Sequence, residues 1–430
     1  MTSSPPPPMN IPPYQLQALI ETVIELYDVK CAQALGSEIF VGCSNGDLLR
    51  FVLQANEFGK PNSYSLLSRQ SLLPQPRPID EIVLLPSISR MLVYCDRQIH
   101  FYTLPSLNPV PSNQIKPIRN VVAFAVDHQH IQRPVPPPSD PPIPVDPVDF
   151  CVVKRSAITL YSLHEQLYYQ REIPLPSGAF LARRSGEYLC IADRQQYAIV
   201  NLRTASLIPL MPISQAPPDA PGPLIRPVIT VVSETEFLIL SWNGASTMGL
   251  FITGEGDPVR GTLEFPAHPV SVCLDHPYLA ALLPDQTIQV HSIETQSVVQ
   301  TIPAPPLPPQ DAATDPSMLL AAERRAILPS AGGFLVPSQQ QSSKLLLRKV
   351  RLLGRSAKPG GREEQTSPID LRDATGRIMA SVRGPGSDAG DNVHGYKAAS
   401  GDDDDDDDDE GAVSEPAEDS DRHAESASPS

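Results

Sequence analysis

A short pattern of two apolar runs around a polar turn occurs twice in quick succession, and it restricts the fold more than any other feature. Residues 149–163 read DFCVVKRSAITLYSL, and residues 187–202 read EYLCIADRQQYAIVNL. Val, Ile, Tyr, Leu and Cys on both sides of a charged turn are typical of paired, half-buried strands. Because one hairpin cannot bury its apolar face alone, the pattern predicts further copies.

Further copies occur along the chain, and they predict the architecture. Seven hairpin units start 38 to 59 residues apart, at 38–53, 90–104, 149–163, 187–202, 236–252, 277–293 and, more weakly, 332–350. These spacings bracket the period of a four-stranded propeller blade. Apolar runs before and after most units supply a first and a fourth strand. We therefore predict an all-β fold, a seven-bladed β-propeller, with a β-sandwich or two stacked β-domains as the alternative.

The composition favours one large domain with tails. A chain of 430 residues with 41% hydrophobic content can bury a large core. We expect a disordered Pro-rich leader at 1–13, the propeller at 14–353 with a Pro-rich insertion at 131–147, and a disordered acidic tail at 354–430. Similar Pro-rich stretches at 212–227 and 303–316 are also expected between blade units. All three are interpreted as solvated loops, with polyproline ligands as the alternative.

Three shorter segments carry their own predictions. Residues 14–35 are expected to enter the first blade. Residues 318–327 read MLLAAERRAI and suit either a helix or a strand, and residues 344–353 read KLLLRKVRLL. We favour the last blade strand for that basic segment over a docking helix, because it completes the seventh hairpin.

The charge is unevenly distributed along the chain. The net charge is −16, but residues 401–430 hold fourteen Asp or Glu and one Arg, so the rest is nearly neutral. Without a basic surplus, the sequence argues against DNA or RNA as a partner. We interpret the tail as a solvating bristle. The alternative is that it shields a basic patch, Arg183 with Arg184 or residues 344–351.

Cysteine usage and hydropathy indicate a compartment. The six cysteines lie within or beside strand patterns, and we interpret them as buried free thiols rather than disulfides or metal ligands. No apolar signal region follows Met1, and no apolar run approaches the ~18 residues of a membrane span. The expected location is cytosolic, or peripheral on a cytosolic membrane face.

No recognised catalytic motif is present in the sequence. It lacks a P-loop, HExxH, GxSxG, a kinase set and a dinucleotide fingerprint. His128 and His130 form an HxH pair without accompanying ligands, so a solvated loop is favoured over a metal site. Trp242, the single tryptophan, suits the core or a partner anchor, and we favour the core. We therefore assign no catalytic, cofactor-binding or metal-ligating residue and no cofactor.

The hairpin segments resemble a known family. Residues 90–112 read RMLVYCDRQIHFYTLPSLNPVPS and residues 123–130 read AFAVDHQH; with 149–163, 187–202 and 278–302 they match in consistent order over roughly residues 24 to 350. They are similar to the citron-homology (CNH) propeller of the vacuolar-sorting tether family. That family includes the TGF-β receptor-associated protein and its fungal counterpart in the CORVET complex.

The resemblance implies a function without catalysis. In that family the propeller precedes an α-solenoid and a zinc-binding module, and the protein tethers early endosomes through an activated Rab GTPase. Here a Gly-rich stretch and the acidic tail follow, so we expect a propeller-only isoform, a gene-model fragment, or a solenoid in another chain.

The expected role is a protein-interaction platform at endosome or vacuole membranes. Its expected partners are a Rab-class GTPase and other tether subunits, which would supply a peripheral membrane association; no nucleic acid and no small-molecule substrate is expected. One alternative is a CNH regulator of Rho-GTPase or Ste20-like kinase signalling. The other is an enzyme that uses the propeller channel.

Overall fold

The computed structural model describes residues 12–20, 29–54, 64–72, 75–137, 144–217 and 225–304, and three strands within 328–349. Contacts divide the chain into one unit at Met1–Ser356 and another at Ala357–Ser430, and every described residue belongs to the first. The leader predicted at 1–13 lies almost entirely outside the described residues, as do the 318–327 segment and the tail at 354–430.

The described chain is built of β-strands in seven antiparallel sheets. Sheet 7 includes the first strand, β1 (Tyr14–Ile20). Sheet 1 contains β2 (Val29–Leu35), β3 (Glu38–Cys43), β4 (Asp47–Leu53) and β5 (Tyr64–Ser71). Sheet 2 contains β6 (Ile79–Leu85), β7 (Arg90–Cys95) and β8 (Gln98–Thr103). Sheet 3 contains β9 (Ala123–Val126), β10 (Val148–Val153), β11 (Ala157–Leu163) and β12 (Leu167–Pro174).

The remaining sheets follow the same order. Sheet 4 contains β13 (Leu181–Ser185), β14 (Tyr188–Ala192), β15 (Gln196–Asn201) and β16 (Leu207–Pro212). Sheet 5 contains β17 (Ile229–Val231), β18 (Glu236–Trp242), β19 (Thr247–Thr253) and β20 (Leu263–Phe265). Sheet 6 contains β21 (Ser271–Asp275), β22 (Tyr278–Leu282), β23 (Ile288–Ser292) and β24 (Ser297–Ile302). Sheet 7 adds β25 (Leu328–Ser330), β26 (Gly333–Val336) and β27 (Lys344–Lys349). A 3-10 turn at Pro86–Ile88 and a short helix, α1 (His128–Ile131), complete the elements.

Each predicted hairpin lies at the centre of one sheet. The pair β10 and β11, for example, keeps its register from Val148 opposite Leu163 to Val153 opposite Ile158. The apolar runs before and after the hairpins supply the first and fourth strands of most sheets. Residues 344–349 form β27, so the strand interpretation of that segment is confirmed. The fold is an all-β propeller.

The sheets are arranged in a ring around their first strands. The strands β2, β6, β9, β13, β17, β21 and β25 are innermost, and contacts between successive ones run from β9 to β25, return from β25 to β2 and continue to β6. Between sheets 2 and 3, α1 contacts β6. Sheets 2 and 3 are joined through a shared apolar cluster that includes Leu92 and Phe150. The core therefore lies in the seams between neighbouring sheets.

The prediction of a seven-bladed propeller is wrong, since six sheets form complete four-stranded blades and sheet 2 has only three strands. The chain after β8 reads LPSLNPVPSNQIKPIRN, and its four prolines cannot donate to a ladder. It pairs with β8 only through single bridges, Tyr102 with Pro109 and Ile99 with Ile118. Val110, Ile115 and Ile118 are buried and cover that edge.

The prediction that 14–35 enters the first blade holds for residues 29–35, which form β2, and is wrong for residues 14–20. Strand β1 pairs with β27 in sheet 7, whereas sheet 1 begins at Val29. The buried Tyr14 fastens this strand to sheet 6, because its hydroxyl donates to Asp275 over 2.8 Å. The side-chain amide of Gln300 also accepts from the Tyr14 N–H and donates to its carbonyl, at 3.0 and 2.9 Å. The two ends of the propeller are thus joined in one sheet.

The antiparallel order sorts the connections onto two faces. The turns of the central hairpins and the connections between sheets lie on one face, which we call the hairpin face. The turns after the first and third strands lie on the opposite face. The Pro-rich insertion at 131–147 follows the first strand of sheet 3, so it lies within a sheet and not between units as predicted. It belongs to the opposite face.

Candidate functional site

A pocket of about 510 Å³ opens where sheets 3 and 4 meet on the opposite face. Strand ends and turns from both sheets line it, including Asp127 after β9, Asp149 on β10 and Arg184 on β13. Two outer residues of sheet 3, Gln170 and Arg171, form one wall, and Glu187 and Arg203 of sheet 4 form another. The pocket therefore presents both signs of charge in the seam between two sheets.

The guanidinium of Arg184 is the buried centre of this seam. The residue is 7% exposed, and its Nε and Nη2 lie 3.7 and 3.6 Å from the carboxylates of Asp127 and Asp149. Nε also donates to the Gly186 carbonyl over 3.0 Å, and Nη1 to the Cys151 Sγ over 3.7 Å. A cation this far from water is stable only when such partners replace its hydration.

The two carboxylates are themselves held by the backbone. Oδ1 of Asp127 accepts from the N–H of Gln129, the second residue of α1, and from the N–H of Gly186, at 3.1 and 3.2 Å. Gly186 has a φ of 57° in the turn between β13 and β14, where glycine is favoured. Oδ1 of Asp149 accepts from the Gln170 amide. The cluster thus joins sheet 3 to sheet 4.

His130 belongs to this cluster. Its Nδ1 accepts the Asp149 N–H over 2.9 Å, which requires a neutral imidazole with the proton on Nε2. Burial lowers the pKa of His130, which favours that neutral form. His128, two residues earlier, is bonded to Gln132 instead. Among the described residues no group of three or more His, Cys, Asp or Glu is placed to hold a metal ion.

The central channel carries a second group of charges. Arg183 on the innermost strand β13 interacts with Glu81 of sheet 2 and with Cys273 of sheet 6, neither of which is in a neighbouring sheet. Its side chain therefore lies in the channel. Burial raises the pKa of Glu81, Arg183 opposes this rise, and Asp80 adds to it. Arg183 and Arg184 thus point to different places, so they do not form the basic patch that the alternative interpretation of the tail would require.

The six cysteines are all buried and free. Burial raises the pKa of Cys95 and of Cys151 to about 11 and that of Cys273 to about 12, so these thiols stay protonated at neutral pH. Trp242 is half-buried at the end of β18, where its backbone pairs with residues 213 and 215. It is not in the core that was favoured for it.

The sequence predicted none of the pocket residues as a site. Asp127, Asp149 and Arg184 are single charged residues at strand ends, separated by 22 and 35 positions, and such residues are common in turns. An indirect signal was present, since Arg184 lies just before the apolar run Tyr188–Ala192, with which its strand pairs. A charge at a buried strand position predicts a partner, but it does not identify that partner.

Comparisons with known proteins match most of the propeller. A family model described as "CNH domain" matches residues 36–312. Transforming growth factor-beta receptor-associated protein 1 of Mus musculus is 25% identical over 308 residues, which cover 69% of this chain and 33% of that protein. Vacuolar protein sorting-associated protein 3 of Saccharomyces cerevisiae is 26% identical over 311 residues, covering 67% and 27%. The chain spans about a third of the length of these relatives.

Solved structures show a similar fold. The AfRom2 CNH domain superposes with a TM-score of 0.51 at 14% identity and covers 79% of this chain and 100% of that one. The Neurospora crassa Pan2 WD40 domain gives the same TM-score at 8% identity, covering 80% and 98%. No helix among the described residues is both long enough and apolar enough to cross a membrane.

Proposed function

This chain belongs to the CNH domain family, and from that premise we propose that it is a non-catalytic interaction platform in endosomal and vacuolar vesicle tethering. It acts in the cytoplasm and associates peripherally with the endosome or vacuole membrane. Its partners are an activated Rab-class GTPase and other tether subunits. Residues 14–353 form the propeller domain, and residues 1–13 and 354–430 flank it.

The observation that carries this proposal is the extent of the match to proteins of vacuolar sorting. The two relatives align with two thirds or more of this chain, over the same propeller. The name of the yeast relative connects that protein with vacuolar protein sorting. Tethering itself, and recognition of a GTPase, come from the family resemblance and are the parts that need a test.

We propose the pocket between sheets 3 and 4 as the docking site for the GTPase. Its outer wall belongs to β12, where Tyr168 and Tyr169 are 56% and 61% exposed. Tyr169 rests edge-on against Tyr161, which stacks on the buried Phe150 with 5.5 Å between ring centroids. Exposed aromatic rings on a rigid support next to a charged pocket are typical of interface hot spots.

The proposal is tested by capture of small GTPases on the immobilised full chain. A panel of Rab-class and Rho-class proteins is loaded with GDP or a non-hydrolysable GTP analogue. Capture of an endosomal Rab only in its GTP form is expected. Capture of Rho proteins instead would favour the CNH regulators of Rho signalling, and equal capture of GDP and GTP forms would contradict the proposal.

The docking site is tested with a matched pair of variants. Tyr168→Ala with Tyr169→Ala is expected to weaken Rab capture about 30-fold, the scale of a hot spot. Leu66→Ala with Leu67→Ala is the control, because these residues are 50% and 53% exposed on β5, the outer strand of sheet 1. Equal capture by both variants would place the contact elsewhere.

The enzyme alternative has a separate test. The channel contains Glu81 and Arg183, so it does not lack ionisable groups. A hydrolase and lyase screen of the full chain is expected to show no turnover. Turnover that is lost in Glu81→Gln would contradict a non-catalytic role.

A further inference from the structure

An arc of cations runs across the hairpin face of sheets 2 to 5. It comprises six exposed arginines and one half-buried lysine, which we call the basic arc: Arg77, Arg97, Arg119, Lys154, Arg155, Arg194 and Arg226. They occupy the turns of the central hairpins and the connections between sheets. Four successive sheets thus contribute cations to one surface.

None of these seven side chains forms an ion pair or a side-chain hydrogen bond with another described residue. Four arginines of the opposite face differ, because Arg50, Arg184, Arg203 and Arg260 are each paired with a carboxylate there. Arg90 and Arg133, also on the opposite face, donate to backbone carbonyls. Within the same four sheets, the described turns of the hairpin face carry two carboxylates, Asp96 and Asp193, and three more, Asp80, Glu172 and Glu264, lie on strands near that face. Asp193 is engaged with the N–H groups of Gln195 and Gln196. The arc therefore has a surplus of positive charge in a propeller that is nearly neutral.

Exposed apolar side chains lie on the same face. Phe180 is 43% exposed in the connection into β13, and its N–H donates to the Ala192 carbonyl. Gly178 in that connection lies against the Arg155 carbonyl, and Arg194 lies in the turn two residues after Ala192. Phe180 thus lies between two members of the arc. Val270, 56% exposed, occupies the corresponding connection into β21.

We propose that the hairpin face binds an anionic membrane surface directly. Unpaired cations distributed over a broad face suit a plane of lipid headgroups, and an exposed aromatic ring among them can enter the headgroup region. An acidic peptide would bind better in a groove than on a broad surface. The pocket described above opens on the opposite face, so it does not provide such a groove next to the basic arc. This contact is independent of the GTPase, so the propeller has one face for lipid and another for protein.

The test uses phosphatidylcholine vesicles with and without phosphatidylserine, sedimented with the full chain. Binding is expected only to the vesicles with phosphatidylserine and should weaken at high salt. Arg155→Ser with Arg194→Ser removes the two charges that flank Phe180. Because each basic residue near such a surface contributes roughly a five-fold gain in binding, this variant is expected to bind about 25-fold more weakly.

The matched control removes two charges from the opposite face, with Arg90→Ser and Arg133→Ser. It should bind the vesicles like the unmodified chain, and Phe180→Ser should bind several-fold more weakly. Circular dichroism of each variant verifies folding. Equal losses in both double variants would reduce the effect to net charge and overturn the proposal.

A polyglutamate peptide and soluble glycerophosphoserine complete the test. Neither is expected to be retained by the chain at the headgroup concentration of the vesicles. Retention of polyglutamate without vesicle binding would indicate an acidic protein partner and overturn the proposal. Retention of glycerophosphoserine with equal affinity would indicate a site for the isolated headgroup and would overturn it as well.

Discussion

Two seams of the propeller solve the same packing problem with different chemistry. The seam between sheets 3 and 4 contains the Arg184 guanidinium with the carboxylates of Asp127 and Asp149, near the opposite face of the propeller. We call it the ionic seam. Between sheets 5 and 6, an apolar cluster is completed by His291, which is 2% exposed and lies against Phe265 with 4.6 Å between centroids; we call this the apolar seam. Each seam is stable only if its polar group is either fully paired or neutral.

The ionic seam should be the more sensitive to loss of one member. Arg184→Met leaves the Asp127 and Asp149 carboxylates without their cation, and removal of one partner from a buried pair costs about 3–5 kcal/mol. We expect a loss of that size in urea unfolding at neutral pH. The control is Arg203→Met, whose side chain is 75% exposed beside Glu187 and should change stability by less than about 1 kcal/mol. Equal effects would mean that the seam does not depend on the buried charge.

The apolar seam should be the more sensitive to acid. Burial lowers the pKa of His291 to about 4, and its Nε2 has no hydrogen-bond partner among the described residues. The unfolded chain takes up this proton near pH 6.5 and the folded protein does not, so stability falls as pH drops from about 6.5 to 4. From the size of this pKa shift, His291 alone should account for roughly 3 kcal/mol of the stability that is lost over this pH range.

This second prediction is checked by unfolding His291→Leu and the unmodified chain at both pH values. The variant should lose about 3 kcal/mol less between pH 6.5 and pH 4, because its seam has nothing to protonate. Parallel pH profiles would show that His291 titrates normally and that the seam admits water.

A third seam, between sheets 4 and 5, lies between these two cases. The Tyr197 hydroxyl is buried there, donates to the Leu240 carbonyl over 2.7 Å and accepts from the Val228 N–H over 3.0 Å. Tyr197→Phe should cost about 1–2 kcal/mol, because two buried backbone groups lose a partner. Tyr168→Phe is the control at an exposed position. A neutral result for Tyr197→Phe would mean that water replaces the hydroxyl.

The channel should show the smallest effect and the opposite sign. Burial raises the pKa of Glu81, so its ionisation opposes folding above the usual range of a carboxyl pKa. Glu81→Gln is expected to stabilise the fold at pH 7 by up to about 1 kcal/mol. The gain should vanish as the pH falls through the raised pKa, where the carboxyl is already neutral. A loss of stability at pH 7 would indicate that pairing with Arg183 dominates.

The hairpins could be predicted from the sequence because each is specified by residues that are close together in the chain. The turn of residues 154–156 and the apolar runs beside it specify β10 and β11 without reference to distant residues. The prediction of a fourth strand in sheet 2 was wrong for a reason that is also local. The segment that follows β8 contains four prolines, and proline has no N–H to donate to a strand ladder.

Contacts between distant segments could not be predicted in this way. Nothing in residues 14–20 indicates that they pair with 344–349, more than 300 positions away. The same limit applies to the candidate site. Arg184 was visible as a charge in a strand, but its two partners lie in a neighbouring sheet. It belongs to a buried ion cluster and not to the basic patch that the alternative interpretation of the tail assigned to it.

Closure of the ring by the first strand is the central claim, and a crosslink tests it most directly. Gln17 lies opposite Leu346 in the register of β1 and β27, and opposed Cα atoms in such a ladder are within disulfide reach. Under mild oxidation, Gln17→Cys with Leu346→Cys should form a crosslink within the chain. The native cysteines are buried, and the raised pKa of Cys95 and Cys151 keeps them from competing. Absence of this crosslink, or equal yield from Gln17→Cys with Arg348→Cys, would contradict a ring closed by β1.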